Sequence, residues 1–326
     1  MTNCQCQAPS VSSNGTITYR PVPADATRRF IWYDRGGKEI QRLDGRTVGM
    51  PSLSKDDSRV LGYTSSPVDG NVDVWMFDLD RAAHTRLTLD VGDDVSPVWS
   101  PDESRIAFAS NRKDVKHELF IKPATAAGRE EVLLSSPEEK SVDDWSADGR
   151  YVLFDQRTFE RRSDLMAVEV EPPNRVIPVS RTDYEEARGQ FSPDGGWVAY
   201  QSDATGRPEI HLQPFPGPGK EVVISNGGGT QVRWKRDGTE LFYVTVDGRL
   251  MAVPVKLFTK QQVAEPGPPN YLFTPPLGGN VQHGDYRHQY DVSSDGKRFL
   301  VAAASQPDVN LPIGVIFNWT RAPQRR

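Results

Sequence analysis

Four side chains with the means to do chemistry crowd one stretch of this chain: His283, Asp285, Arg287 and His288 span six positions. Two imidazoles and a carboxylate suit a transition metal, but irregular spacing fits a solvated loop equally well, so His283 and His288 stand as weak metal candidates only. A second set is defined by position. Asp94, Asp144, Glu186, Arg188, Gln231, Arg233, Arg287 and His288 each fall next to the start of a short apolar strand phrase, with Asp93 and Asp143 beside the first two. If those strands ring one axis, their leading residues meet at one mouth as a polar rim of mixed sign. Such a rim takes a polar ligand or a partner's peptide, and equally describes hydrated loop ends.

Nucleophile chemistry has no such foothold. There is no G-x-S-x-G, no phosphate loop and no H-E-x-x-H, because His117-Glu118 runs on into Leu119, Phe120 and Ile121. Asn226-Gly-Gly-Gly229 precedes a strand phrase, not a helix, and so reads as a turn. Cys4 and Cys6 are both near one end with one residue between them. Two thiols in a tail make a weak metal site and no disulfide framework, so packing must hold the fold. No catalytic residue and no cofactor is assigned.

The elements that must position the rim are set by a recurring turn. It reads VSSNG around Asn14, LSKDD around Asp56, WSPDE around Asp102, WSADG around Asp148, FSPDG around Asp194, WKRDG around Asp237 and VSSDG around Asp295. The copies lie roughly 42 to 46 residues apart, except for a last interval of about 58, a period of repeated four-stranded sheets. One copy shows the pattern: PVWS, a Pro-Asp-Glu turn, RIAFA, a polar loop, ELFIK, a second turn and EVLL. The third-strand phrase recurs as FIWYD from Phe30, DVWMFD from Asp73, DLMAVEV from Asp164, EIHLQPF from Glu209, RLMAVPV from Arg249 and GVIFNW from Gly314. This predicts an all-β chain: a seven-bladed β-propeller of four-stranded antiparallel blades over residues 11–320, with tails at 1–10 and 321–326. A six-bladed ring is the alternative.

The repeat also gives the acids a structural role. An Asp in the turn accepts nearby backbone N–H groups while Gly supplies a positive φ, and an acid opening a third strand (Asp73, Glu118, Asp164, Glu209) ties down a loop. Trp99, Trp145, Phe191 and Trp234 precede the turn, where a large ring fills the wedge between blades. The seventh copy lacks a fourth strand, and residues Ala8 to Ser12 are expected to supply it and cover the open edge.

Composition narrows the partners. The 326 residues carry a net charge of −5 with only short basic clusters, so no nucleic acid is expected. Hydrophobic residues make up 37%, yet no apolar run nears the roughly 18 residues of a spanning helix, so no membrane insertion is expected either. The start MTNCQCQAPS shows no secretion signal. A monomer is expected.

The phrases SPVWSPDESRIAFASNR, GQFSPDGGWVAYQSDATGRPEIHLQPFPGPG, GGTQVRWKRDGTELFYV and YDVSSDGKRFLVAA resemble the TolB-like propeller family. More closely, they resemble the propeller region that bacterial serine/threonine protein kinases carry behind the kinase domain. The resemblance implies a sensor or scaffold module, extracytoplasmic where the kinase is membrane-anchored. It does not imply kinase activity, since no HRD-type or DFG-type motif is present. The expectation is thus a non-catalytic module binding a protein segment or polar small molecule at the channel mouth. The alternative is a metal-assisted lyase or hydrolase of acidic sugars, with arginines gripping carboxylates.

Overall fold

The computed structural model describes residues 6–11, 17–21, 28–43, 49–66, 70–113, 116–157, 162–217, 219–277, 288–304 and 314–316. The chain divides into two compact units: residues 29–303, and the two terminal stretches 1–28 and 304–326. In the terminal unit, β1 (Cys6–Val11) pairs with β2 (Ile17–Pro21), which pairs in turn with β28 (Gly314–Ile316).

The larger unit consists of six antiparallel sheets. Blade 1 is β5 (Gly49–Leu53), β6 (Arg59–Ser65), β7 (Val72–Asp78) and β8 (Ala83–Arg86); blade 2 is β9 (Asp94–Trp99), β10 (Arg105–Ser110), β11 (Glu118–Pro123) and β12 (Glu131–Leu134). Blade 3 is β13 (Glu139–Trp145), β14 (Tyr151–Arg157), β15 (Ser163–Glu169) and β16 (Val176–Ser180); blade 4 is β17 (Glu186–Phe191), β18 (Trp197–Ser202), β19 (Glu209–Pro214) and β20 (Val222–Val223). Blade 5 has β21 (Thr230–Trp234), β22 (Glu240–Val244), β23 (Leu250–Phe258) and β25 (Asn270–Phe273), with β24 (Val263–Pro266) on the far half of β23. Blade 6 joins β26 (Tyr290–Val292) and β27 (Arg298–Ala304) to β3 (Arg28–Asp34) and β4 (Glu39–Arg42) from the early part of the chain.

Each blade buries its faces against its neighbours. Leu61, Val74 and Leu87 of blade 1 pack on Trp99, Ile106 and Phe108 of blade 2; Ala107 and Leu119 pack on Val142 and Phe154 of blade 3. Leu153 and Leu165 meet Phe191 and Tyr200; Trp197 and Ile210 meet Trp234 and Leu241; Phe242 and Phe273 meet Tyr290 and Phe299. The circle closes where Phe30, Trp32 and Leu300 of blade 6 meet Val60 and Phe77 of blade 1. The four recurring rings, Trp99, Trp145, Phe191 and Trp234, are all buried in these wedges.

The turn copies work as local clamps. Ser100 Oγ donates to Asp102 at 2.6 Å, Asp102 accepts the Ser104 N–H at 3.1 Å, and Ser100 Oγ accepts the Arg105 N–H at 2.9 Å. The same three bonds recur at Ser54, Ser146, Ser192 and Ser293. Hydrogen bonds from Ser100 and Ser104 hold the Asp102 carboxyl down at about 2.

The expected seven blades are corrected to six. The first and seventh copies exchange third strands: FIWYD follows the first copy but lies beside β27 as β3, while the GVI of GVIFNW follows the seventh copy but pairs with β2. Two copies therefore yield one ring blade and one separate three-stranded sheet. The latch also differs from expectation, since Ala8 lies in β1 and pairs away from β27, whose edge is covered by β3. Ser12 lies outside the described residues.

Candidate functional site

The first strands of successive blades, β5, β9, β13, β17, β21 and β26, touch one another in a closed cycle and so line the axis of the ring. Register slips at a bulge in β5, β9, β13, β17 and β21, and Met50, Ser96, Arg188 and Gln231 take φ values of 50, 56, 58 and 56° there. A bulge re-aims the side chains around it. The sequence-expected rim is sorted by this geometry into three depths.

At the strand starts, Asp94 is fully buried and accepts a 2.8 Å bond from Arg112, whose guanidinium also meets Glu130. Burial pushes the Asp94 carboxyl up. Glu186 accepts the Thr182 N–H at 3.3 Å and the Thr182 hydroxyl, and burial raises it too. Both acids tie down the loop entering or flanking their strand. His288 is fully buried just ahead of β26; Arg287 and His283 lie outside the described residues.

At the bulges, the buried Arg188 donates to Thr230 Oγ1 at 2.7 Å, and its backbone N–H reaches Asp155 at 3.0 Å. Gln231 and Gln289 bond reciprocally: Gln231 Nε2 donates to Gln289 Oε1 at 3.1 Å, and the Gln289 N–H donates to Gln231 Oε1 at 2.8 Å. The Tyr290 hydroxyl donates to the Gln231 carbonyl at 2.9 Å. Asp143 accepts the Gly189 N–H at 3.2 Å. All these bonds run between blades.

At the strand ends, one position before Trp145, Phe191, Trp234 and Val292, stand Asp144, Gln190, Arg233 and Asp291. Asp144 Oδ2 accepts the Phe191 N–H at 2.8 Å, Gln190 Oε1 the Trp234 N–H at 2.7 Å, and Asp291 Oδ2 the Leu53 N–H at 2.8 Å. Each side chain thus satisfies an amide of the next blade. Arg233 Nε lies 3.4 Å from Asp291 and 3.3 Å from the Tyr290 carbonyl. Burial pushes the Asp144 carboxyl up to about 7, with the Trp145 and Phe191 amides and Arg233 opposing and Asp291 adding to the rise. Burial also raises Asp291, against Arg233 and the Leu53 amide.

The structure therefore brings Arg233 to Asp291, with its charge felt at Asp144, sets Arg188 near Gln201 and Thr230, and leaves Asp94 and Glu186 apart in their own blades. Sequence reasoning missed Asp291, Gln190 and Gln289. For Asp291 and Gln190 the signal was the column one place before Leu53, Trp99, Trp145, Phe191, Trp234 and Val292, which reads Ser, Val, Asp, Gln, Arg, Asp. Among the described residues, no three His, Cys, Asp or Glu side chains converge to hold a metal, and no helix is long and apolar enough to cross a membrane.

No protein-family model matches the chain. It is 30% identical over 148 residues to the Tol-Pal system protein TolB of Helicobacter pylori strain J99, a match taking in 41% of this chain and 35% of the relative's length. Among solved structures, one assigned to TolB from Agrobacterium tumefaciens superposes with a TM-score of 0.66 at 15% identity, covering 84% of this chain and 97% of that one. TolB from Acinetobacter baumannii gives 0.55 at 15% identity, covering 91% and 79%. The fold is a TolB-like β-propeller, the resemblance the repeat phrases carried, with the six blades of the stated alternative rather than the seven expected first.

Proposed function

We propose that this chain is a non-catalytic, protein-binding propeller of sensor or scaffold type, which holds a partner's segment against the mouth where the inner strands begin. The observation carrying this reading is the contrast between spent and unspent side chains at that mouth. Asp94, Glu186, Arg188 and Gln231 are buried in bonds within the ring, so they set the frame rather than the contact surface. The loops leading into β9 and β17 instead present Leu89, Val91 and Tyr184, at 67%, 92% and 47% exposure. Large apolar side chains on loops held by a rigid body bind at low ordering cost. The Helicobacter pylori relative is named as a component of the Tol-Pal system, which supports an assembly role. Attachment to a kinase, as the repeat phrases imply, would make the ring the sensing half of a receptor.

The test is peptide selection on the intact protein. A displayed peptide library should enrich on the parent chain and lose at least roughly tenfold in affinity on Leu89→Ser/Val91→Ser/Tyr184→Ser, while Arg150→Ala on the opposite face changes nothing. Enrichment that ignores the mouth variants would refute the reading.

A further inference from the structure

On the face away from the mouth, the turn between β13 and β14 and the end of β19 enclose a cleft of about 110 Å³. Tyr151, Phe215 and Pro216 form its apolar wall. The Phe215 ring stands edge-on to Tyr151 at 5.2 Å and to Phe191 at 5.0 Å, so the wall is fixed by the core between blades 3 and 4. Gly195, on the blade 4 side, leaves the space open: a Cβ built there meets nothing within 4 Å among the described residues. The volume is near the roughly 150 Å³ in which an apolar cavity admits benzene, so one compact side chain fits.

Both charged residues of the lining, Asp148 and Arg150, keep unspent atoms. Asp148 uses Oδ1 for Ser146 Oγ at 2.6 Å and the Arg150 N–H at 3.0 Å, and its Oδ2 has no partner among the described residues. In other copies of the turn the second oxygen is taken: Asp102 Oδ2 by Ser104 at 2.8 Å, Asp194 Oδ2 by Thr259 at 2.5 Å, Asp237 Oδ2 by Lys235 at 2.7 Å. Arg150 lies over the Tyr151 ring at 5.1 Å and donates Nη2 to the Tyr151 hydroxyl at 3.2 Å. Its Nε and Nη1 meet no carboxylate among the described residues, Asp148 included. We propose that this cleft binds a free apolar amino acid, with its carboxylate on Arg150, its ammonium on Asp148 Oδ2 and its side chain against Tyr151, Phe215 and Pro216. A zwitterion answers both charges at once, and the ring beneath the guanidinium holds that charge in place beforehand. A residue inside a peptide carries neither charge, so the site is separate from the contact proposed at the mouth.

Calorimetric titration of the intact protein with L-leucine and L-phenylalanine tests this. Each should bind, and affinity should fall at least roughly tenfold for N-acetyl-leucine, for leucinamide and for glycine, which lack the ammonium, the carboxylate and the side chain in turn. Asp148→Asn keeps the Oδ1 acceptor of the turn and should abolish the preference for leucine over N-acetyl-leucine. Arg150→Gln should abolish the preference for leucine over leucinamide. A purely structural role would weaken every ligand alike. No binding of either amino acid at about 10 mM, or preferences that survive both substitutions, overturns the proposal. Should a variant fail to fold, the amide shifts of Gly149 and Gly195 in the parent chain decide: they should move on addition of leucine, and shifts that stay fixed overturn the site.

Discussion

Arg233 Nε stands 3.4 Å from Asp291 Oδ1, and the same guanidinium lies 3.5 Å from the carbonyl of Pro51, so one side chain of blade 5 reaches both blades that meet at ring closure. Removing a cation from a buried pair strands its carboxylate. Arg233→Met should therefore cost about 3 kcal/mol at pH 8 by urea unfolding. The loss should shrink toward pH 5. Asp144 and Asp291 have folded pKa values raised above their unfolded ones, so what they contribute is full below about pH 4 and is lost as pH rises through their folded values, about 7 for Asp144. A variant whose deficit is independent of pH would show that Arg233 acts by packing alone.

The turn acids behave oppositely. Asp102, held by Ser100 and Ser104, and Asp237, with a folded pKa of about 2, have lowered values, so their contribution is present above about pH 4 and fades as pH falls toward 2. Asp56, Asp194 and Asp295 are lowered by hydrogen bonds in three other copies of the turn, which predicts cooperative acid unfolding in that window. Ser100→Ala, which removes both the bond to Asp102 and the acceptor for the Arg105 N–H, should move the acid midpoint upward, read by tryptophan fluorescence.

These turns were legible in the sequence because every bond in them spans five residues or fewer. The same holds for the wedge aromatics, whose place is fixed by the turn that follows. Blade number was not legible in this way. FIWYD and GVIFNW are equally apt third strands, and which of them lies against β27 is decided by long-range pairing that the phrases do not encode. The phrases placed the rim residues along the chain but not by depth. Asp94 sits five places before Trp99 and Asp144 one place before Trp145, so the bulge falls between their levels and separates them along the axis.

Closure by β3 and β4 makes a clear prediction about the two ends of the ring unit. Phe30, 1% exposed in the core between blades 6 and 1, should cost about 3 to 5 kcal/mol when cut to Ala. Deleting residues 1–12 should leave the main thermal transition in place, because β1 contributes no strand to blade 6. A collapse of that transition on deletion, with Phe30→Ala tolerated, would mean that the ring is closed by a different strand.

Gly92 offers a way to disturb the mouth without touching any rim side chain. A Cβ built there comes within 2.5 Å of both the backbone N and the Cα of Arg112, atoms that cannot rotate aside. Arg112 is the residue that pairs with the buried Asp94 and with Glu130, and its guanidinium lies 4.4 Å from the Phe120 ring centre. Gly92→Ala should push this loop outward, lengthen the Arg112–Asp94 pair and leave a buried carboxylate less well compensated, at a cost of about 1 to 3 kcal/mol. The carboxyl of Asp94, already raised by burial, should rise further as its cation withdraws. A 13C-aspartate titration of the variant checks this directly: an unshifted Asp94 carboxyl together with parent-like stability would mean that the loop absorbs the added methyl group without moving Arg112.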